Sequence, residues 1–285
     1  MMGAMTARFD VETMGIVGAG PMGLGIAHVA ARSGVNVVLS DIDASVLAVA
    51  METIEDRLAQ DGASPAAADR IRTTTVVDDH RNCSLVLETA KEDEAIKSEI
   101  FRRLDAVCPE TTVLVSNTSS IPIARLGAVT RRPPRVAGMH FMVPVAAMPL
   151  VEVIRSLDTS DETRDRVFSL ARQLGKTPVE CRDFPGFVSN RLVMVMINEA
   201  VFAVHEGVAS VEAVDEIMQL GMNHPMGPLR LADLIGLDTC LTVLSVMHRG
   251  MGDPKYRPCP LLVRMVESGR IGRRSGKGFY EYAGE

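Results

Sequence analysis

The 285-residue chain lacks three things, and each shortage excludes a class of protein. It has no basic excess. Lys and Arg number 30 against 36 Asp and Glu, a formal net charge of −6, so a nucleic-acid backbone is excluded as its main partner. Its five cysteines (Cys83, Cys108, Cys181, Cys240 and Cys259) are odd in number and widely scattered. They show no CxxC or Cys/His spacing for a metal, and a disulfide framework does not suit a chain of this length, so reduced thiols in a cytoplasmic protein are expected. Finally, no apolar run approaches the roughly 20 residues of a membrane span. The polar start Met1–Glu12 also lacks the hydrophobic region of a signal peptide and is expected to be a disordered leader.

What is present is a regular alternation. Apolar runs at Thr13–Val17, Val35–Ser40, Thr73–Val77, Leu85–Thr89, Thr112–Ser116, Arg135–Phe141, Leu150–Arg155 and Thr177–Cys181 predict strands. Helical patterns fall between them at Pro21–Ser33, Ala44–Ala59, Pro65–Arg72, Glu92–Val107, Ile121–Gly127 and Ser160–Leu174. Strand–helix alternation of this kind predicts right-handed βαβ units and a doubly wound, mostly parallel α/β sheet of Rossmann type. From Pro185 onward the pattern is helical: Gly186–Glu206, Val211–Leu220, Leu229–His248 and Pro260–Ser268. The shift near Asp183–Gly186 predicts a first domain over 1–184, with its leader at 1–12, and an all-helical second domain over 185–285.

Gly18-Ala19-Gly20-Pro21-Met22-Gly23 joins the first strand to the first helix. The first glycine permits a tight turn, the second lets backbone approach a pyrophosphate, and the third allows close helix–strand packing. Amides at the helix N-terminus then favour the anion. Asp41 closes the second strand, where it can accept hydrogen bonds from ribose hydroxyls. Ile42 and Asp43 follow without an arginine for a 2′-phosphate, so NAD is favoured over NADP, and no flavin-binding addition is recognisable.

Three further segments carry polar groups to the same chemistry. Asn117-Thr118-Ser119-Ser120 is a hydroxyl-rich turn at the carboxyl end of a strand, either a helix cap or a ligand site. His140 and Glu152 stand near the facing ends of two short runs, with an apolar loop and Pro144 and Pro149 between them. A carboxylate beside an imidazole fixes its tautomer and tunes it for proton transfer near neutral pH. Asn190, within Pro185–Arg191, opens the helical half as a cap, a solvated side chain or a substrate donor. The other histidines, including His28 and His80, have no recognised partners, and the Met-rich stretch Leu192–Ile197 reads as core or interface.

In their order and spacing these segments, together with Leu85–Glu99, His224–Leu229, Leu237–Thr239 and Gly276–Tyr280, resemble the 3-hydroxyacyl-CoA dehydrogenases, in particular the short bacterial 3-hydroxybutyryl-CoA type. The resemblance spans Met14 to about Tyr282. It implies that His140 is the general base for the substrate hydroxyl and that Glu152 orients it. It implies that Ser119 and Asn190 bond the reacting oxygen and the thioester side. Glu92 and Lys97 would lie along the nicotinamide side of NAD, with Gly18, Gly20, Met22, Gly23, Asp41, Asn117, Ser119 and Arg274 completing the cofactor contacts. Arg57 would meet a CoA phosphate. An acyl-CoA substrate, no metal, no nucleic acid, no membrane and a homodimer formed through the helical domain are implied as well.

The sequence departs from the family at two places. The family pattern His-Phe-x-Asn-Pro reads His140-Phe141-Met142-Val143-Pro144 here, and valine cannot donate; Asn117 is a candidate replacement donor. The excursion Met51–Arg72, often lysine-rich in the family, carries acids at Glu52, Glu55, Asp56, Asp61 and Asp69. These departures keep open a dehydrogenase of a free hydroxy acid or a bulkier acyl-CoA. A catalytically weakened NAD-binding sensor or scaffold is the reading from another class.

Overall fold

The computed structural model describes residues 11–282. The chain divides into two compact units at Asp183/Phe184. In the first, the order is β1 (Thr13–Val17), α1 (Pro21–Arg32), β2 (Asn36–Ser40), α2 (Ala44–Gln60), β3 (Ile71–Thr74), β4 (Leu85–Glu88), α3 (Glu94–Val107), β5 (Val113–Ser116), α4 (Ile123–Ala128), β6 (Val136–Phe141), β7 (Leu150–Arg155), α5 (Asp161–Gln173) and β8 (Thr177–Arg182). The eight strands form one sheet in the order β3-β2-β1-β4-β5-β6-β7-β8. Every pairing is parallel except β6–β7, so β7 and β8 run opposite to the other six.

β4, β5 and β6 are buried along their whole length, as befits central strands covered on both faces. Helices are started by side chains where the sequence supplies acceptors. Asp43 accepts from the Ser45 amide at α2, Asp93 from Ala95 and Ile96 at α3, and Ser160 from Thr163 at α5. α1 differs. It begins at Gly20 with Pro21 in its first turn, and no side chain caps it.

The order of strands reverses direction between β1 and β4, which is where open α/β sheets bind ligands beyond the strands' carboxyl ends. Val17, Ser40, Glu88, Ser116 and Phe141 all end on that edge, and β7 begins there at Leu150.

The second unit is helical: α6 (Ser189–His205), α7 (Val211–Met222), α8 (Pro228–Ile235), α9 (Leu237–Met251) and α10 (Pro260–Glu267). It has its own core, with Tyr256, Ile197, Leu229, Leu244 and Leu262 fully or almost fully buried. Two buried acids tie it together. Asp215 accepts from the Leu229 and Arg230 amides that open α8 and from the Tyr280 hydroxyl, while Asp233 accepts from the Phe279 and Tyr280 amides and the Tyr282 hydroxyl.

Four expectations are corrected. The third strand is Ile71–Thr74 rather than Thr73–Val77, because the helical turn before it ends at Arg70 and Val77–Asn82 forms a 3-10 turn. Leu229–His248 is two helices, not one, since Gly236 takes a left-handed φ of 101° and breaks the run. The helix after Pro185 starts at Ser189, following a turn in which Gly186 and Phe187 have positive φ. The leader's first ten residues lie outside the described range, but Val11 is buried and exchanges hydrogen bonds with the Gln173 side chain.

No helix among the described residues is long and apolar enough to cross a membrane. All five cysteines are buried and unbridged.

Candidate active site

The glycine turn is shaped by two close approaches and one open position. Gly18 has φ +104°, and a Cβ there would stand 2.9 Å from the Ala90 amide nitrogen. Gly23 packs so closely that a Cβ would fall 1.8 Å from the Gly18 carbonyl oxygen. At Gly20 a Cβ would meet nothing within 4 Å, so bare backbone faces open space at the uncapped start of α1. That combination suits a pyrophosphate at a helix N-terminus. Asp41 is tied into the turn: Oδ2 accepts from the Ala19 amide at 2.8 Å and Oδ1 from the Asp43 amide at 3.1 Å. An apolar cleft of about 780 Å³ lies alongside, walled by Gly18, Asp41, Ile42, Val46 and Ile96. Met22 is partly buried against the core beneath.

The hydroxyl turn after β5 is organised by Glu92. Its Oε1 accepts from Thr118 Oγ1 at 2.5 Å, Ser120 Oγ at 2.9 Å, and the Ser119 and Ser120 amides at 3.1 Å each. Burial opposes ionisation of Glu92, but these bonds and Lys97 outweigh it and hold its pKa below the usual value. Lys97 is 1% exposed, with Nζ 2.7 Å from Glu88 Oε1, 3.0 Å from the Ala90 carbonyl and 3.4 Å from Glu92 Oε2. Its charge therefore acts through these partners.

Glu88 was missed by sequence reasoning. It is fully buried at the end of β4 and accepts from Lys97, from the Ala90 amide at 2.6 Å and from Ser116 Oγ at 2.6 Å. Burial raises its pKa against the pull of Lys97, Ser116 and Ala90. The available signal was a carboxylate closing an otherwise apolar strand, since buried charges need partners.

His140 and Glu152 are direct partners in the antiparallel β6–β7 register. His140 Nδ1 lies 2.9 Å from Glu152 Oε2, and the two residues are 9% and 3% exposed. An ionised carboxylate accepts only, so the proton of this bond sits on Nδ1 and Nε2 is the ring nitrogen left to accept one. Asn117 links the two halves of the edge: its amide donates to the Glu88 carbonyl, and its Oδ1 accepts from the Phe141 amide at 2.9 Å. With Oδ1 so engaged, the side chain's donor end is Nδ2. Val143 is 73% exposed in the following loop.

Thus the first unit brings together Gly18–Gly23 with Asp41, and Glu92, Lys97, Asn117 and Ser119 with the His140/Glu152 pair. Arg57 is elsewhere, exposed on α2. Asn190 is the second residue of α6, half-buried in the second unit. Arg274, in the same unit, pairs with Asp238 at 2.7 Å.

Comparison with known proteins agrees with this geometry. Residues 13–184 match the family model described as "3-hydroxyacyl-CoA dehydrogenase, NAD binding domain", and residues 186–282 match "3-hydroxyacyl-CoA dehydrogenase, C-terminal domain". The chain is 49% identical over 281 residues to a probable 3-hydroxybutyryl-CoA dehydrogenase of Bacillus subtilis, covering 96% of this chain and 98% of that one. It is 48% identical over 282 residues to 3-hydroxybutyryl-CoA dehydrogenase of Bradyrhizobium diazoefficiens, covering 96% of each. Among solved structures, (S)-3-hydroxybutyryl-CoA dehydrogenase from Ralstonia eutropha superposes with a TM-score of 0.93 at 46% identity, over 96% of this chain and 100% of that one. With both halves matched and the dinucleotide turn in place, the chain belongs to the 3-hydroxyacyl-CoA dehydrogenase family and is an NAD-dependent oxidoreductase.

Proposed function

We propose that the protein oxidises short-chain 3-hydroxyacyl-CoA, with 3-hydroxybutyryl-CoA as the foremost substrate, to the 3-oxoacyl-CoA and catalyses the reverse reaction. The observation that carries this reading is the buried His140–Glu152 pair at 2.9 Å beside the 117–120 turn. The relatives' names supply the acyl-CoA.

The residues present fit NAD: an uncapped helix start, open space at Gly20 and a carboxylate at the end of β2. The bound cofactor would supply the acceptor for the hydride lost from the carbinol carbon. One proton must then leave the hydroxyl, and His140 Nε2 takes it as general base. Glu152 holds the imidazole in the Nδ1–H tautomer and stabilises the imidazolium that forms. Ser119 and Asn190 hold the reacting oxygen and, in the reverse direction, polarise the carbonyl. Glu92 orders the turn bearing Ser119, and Lys97 supports Glu92. Asn117 Nδ2 serves in place of the amide that Val143 lacks. Arg57 and Arg274 contribute positive charge toward CoA and cofactor phosphates.

In this reading residues 1–184 form the NAD-binding domain, and 185–285 form a helical substrate and dimerisation domain. The enzyme acts in the cytoplasm on intermediates of fatty acid metabolism.

A second substrate reading, a bulkier acyl-CoA, is favoured by one observation: the exposed, wholly apolar loop around Val143 next to His140. Following NADH oxidation with acetoacetyl-CoA, free acetoacetate and a ring-bearing 3-oxoacyl-CoA separates the alternatives. The proposal expects the highest kcat/KM with acetoacetyl-CoA. Inert acetoacetyl-CoA in a protein that still binds NADH would overturn it, and preference for the ring-bearing thioester would establish the second reading.

A further inference from the structure

The loop joining β6 to β7, Met142–Pro149, contains no polar side chain, yet it must fix the ends of the strands that bear His140 and Glu152. Its backbone carbonyls need partners that its own side chains cannot provide. One side chain from elsewhere meets that need. Lys176 Nζ donates to the carbonyls of Val145 at 2.5 Å, Met148 at 2.9 Å and Ala146 at 3.4 Å. An ammonium has three N–H donors, and all three are directed at this loop.

The lysine is itself held firmly. α5 ends at Gln173, and Gly175 with φ +71° reverses the chain. The Lys176 amide then bonds back to the Ala171 carbonyl at 2.9 Å. The next residue, Thr177, donates its amide to the Pro149 carbonyl at 2.7 Å and opens β8 alongside β7. The side chain is thereby aimed under the loop, and the residue is only 7% exposed. Burial lowers its pKa, with Arg32 adding to the effect and no carboxylate opposing it. A buried cation without a counter-ion is costly, so its retention beneath this loop points to a geometric task.

The loop's other contact lies toward the cofactor turn. Val145 is buried against α1, and a Cβ added at Gly25 would come within 3.1 Å of it. With its carbonyls drawn inward, the loop turns Val143 and Met148 outward.

We propose that Lys176 is a positioning residue for hydride transfer: it pins the Val145–Met148 carbonyls so that β6 and β7 present His140 and Glu152 in fixed register next to the cofactor turn. The inference rests on the proposed role of His140 and assigns Lys176 no contact with substrate.

The test is Lys176→Met, assayed for acetoacetyl-CoA reduction beside Lys176→Arg and His140→Ala. Misplacing the base by a fraction of an ångström to an ångström is expected to lower kcat about 10- to 100-fold. KM and NADH affinity should stay within about threefold, because the ligand contacts themselves are intact. Lys176→Arg, which keeps the charge and several donors, should recover most of the loss. A folded Lys176→Met enzyme with wild-type kcat per NADH-binding site overturns the inference, as does a loss accounted for entirely by the unfolded fraction.

If Lys176→Met does not fold, the wild-type protein still decides the matter. The Lys176 ammonium protons should exchange with water far more slowly than those of surface lysines, and fast exchange overturns the proposal. His140→Ala separates the two readings. Wild-type turnover in that variant sinks the base assignment itself, whereas an inactive His140→Ala beside an unaffected Lys176→Met sinks only the role of Lys176.

Discussion

Two histidines of the first unit show what a partner does to an imidazole. His140, on β6, has its Nδ1 2.9 Å from the carboxylate of Glu152. His80, in the 3-10 turn Val77–Asn82, has its Nε2 2.8 Å from the hydroxyl of Ser40 at the end of β2. Both are buried, at 9% and 0% exposure. Their surroundings differ in kind. His140 faces a carboxylate across a strand register at the ligand edge. The His80 ring fills a space that only Gly15 permits, since a Cβ there would stand 2.4 Å from its Nδ1. That nitrogen is buried with no hydrogen-bond partner among the described residues. Burial lowers the pKa of His80 to about 4, with Arg72 adding to the effect and Asp79 opposing it. The first imidazole has the carboxylate partner that the proposed general base requires; the second is held neutral by burial.

The comparison breaks first at His140. Replacing it by alanine removes the proposed general base and should lower kcat by up to about 10⁴-fold, the upper range for such catalysis. NADH binding by fluorescence titration should be unchanged, because the Gly18–Gly23 turn and Asp41 are held by their own backbone and side-chain bonds. Turnover within tenfold of wild type would make His140 as passive as His80. Glu152→Gln is the next largest effect. The amide is nearly isosteric but carries no charge and can present a donor to Nδ1, favouring the wrong tautomer. The fall in kcat expected is bounded by about 10⁴-fold, the loss that follows when the orienting acid of a Ser-His-Asp triad becomes its amide. KM should barely move. If KM rises while kcat holds, Glu152 binds substrate instead of orienting the base.

Much of this was legible because it is local. The glycine turn, the acid closing β2 and the strand alternation follow from short-range backbone demands, and the observed elements begin and end near their expected limits. His140 and Glu152 were also readable, because one loop separates their strands and an antiparallel pairing brings them into register. Partnerships that depend on packing between distant elements were not. The resemblance puts Lys97 along the nicotinamide side, but its burial against Glu88 depends on the approach of α3 to β4. His80 reads as ordinary because Ser40, 40 residues away, reaches it only when β2 and the 3-10 turn meet beneath β1. Gly236 is hidden in the continuous periodicity of Leu229–His248, since a glycine alone does not announce a positive φ.

The smallest expected effect concerns stability rather than rate, and it tests the His80 half of the comparison. In the unfolded chain this imidazole titrates near its ordinary value of 6.5, whereas in the fold it titrates at about 4. Between those values the unfolded state binds more protons, so folding stability falls as the pH falls. The contribution is fully present above pH 6.5, shrinks through the window down to about 4, and is constant below it. A depression of this size corresponds to about 3 kcal/mol at most, because each protonated ring would leave an N–H facing Gly15 without an acceptor. Urea unfolding of wild type and His80→Asn at pH 7, 5.5 and 4.5 isolates the term. The variant has lower stability at pH 7 but should show a shallower decline across the window, since its side chain does not titrate. Taking the difference in slope removes the contribution of His28, whose pKa burial also lowers. Parallel declines in the two proteins would mean that His80 accepts its second proton in the folded state. It would then have the proton-exchanging character assigned to His140 alone.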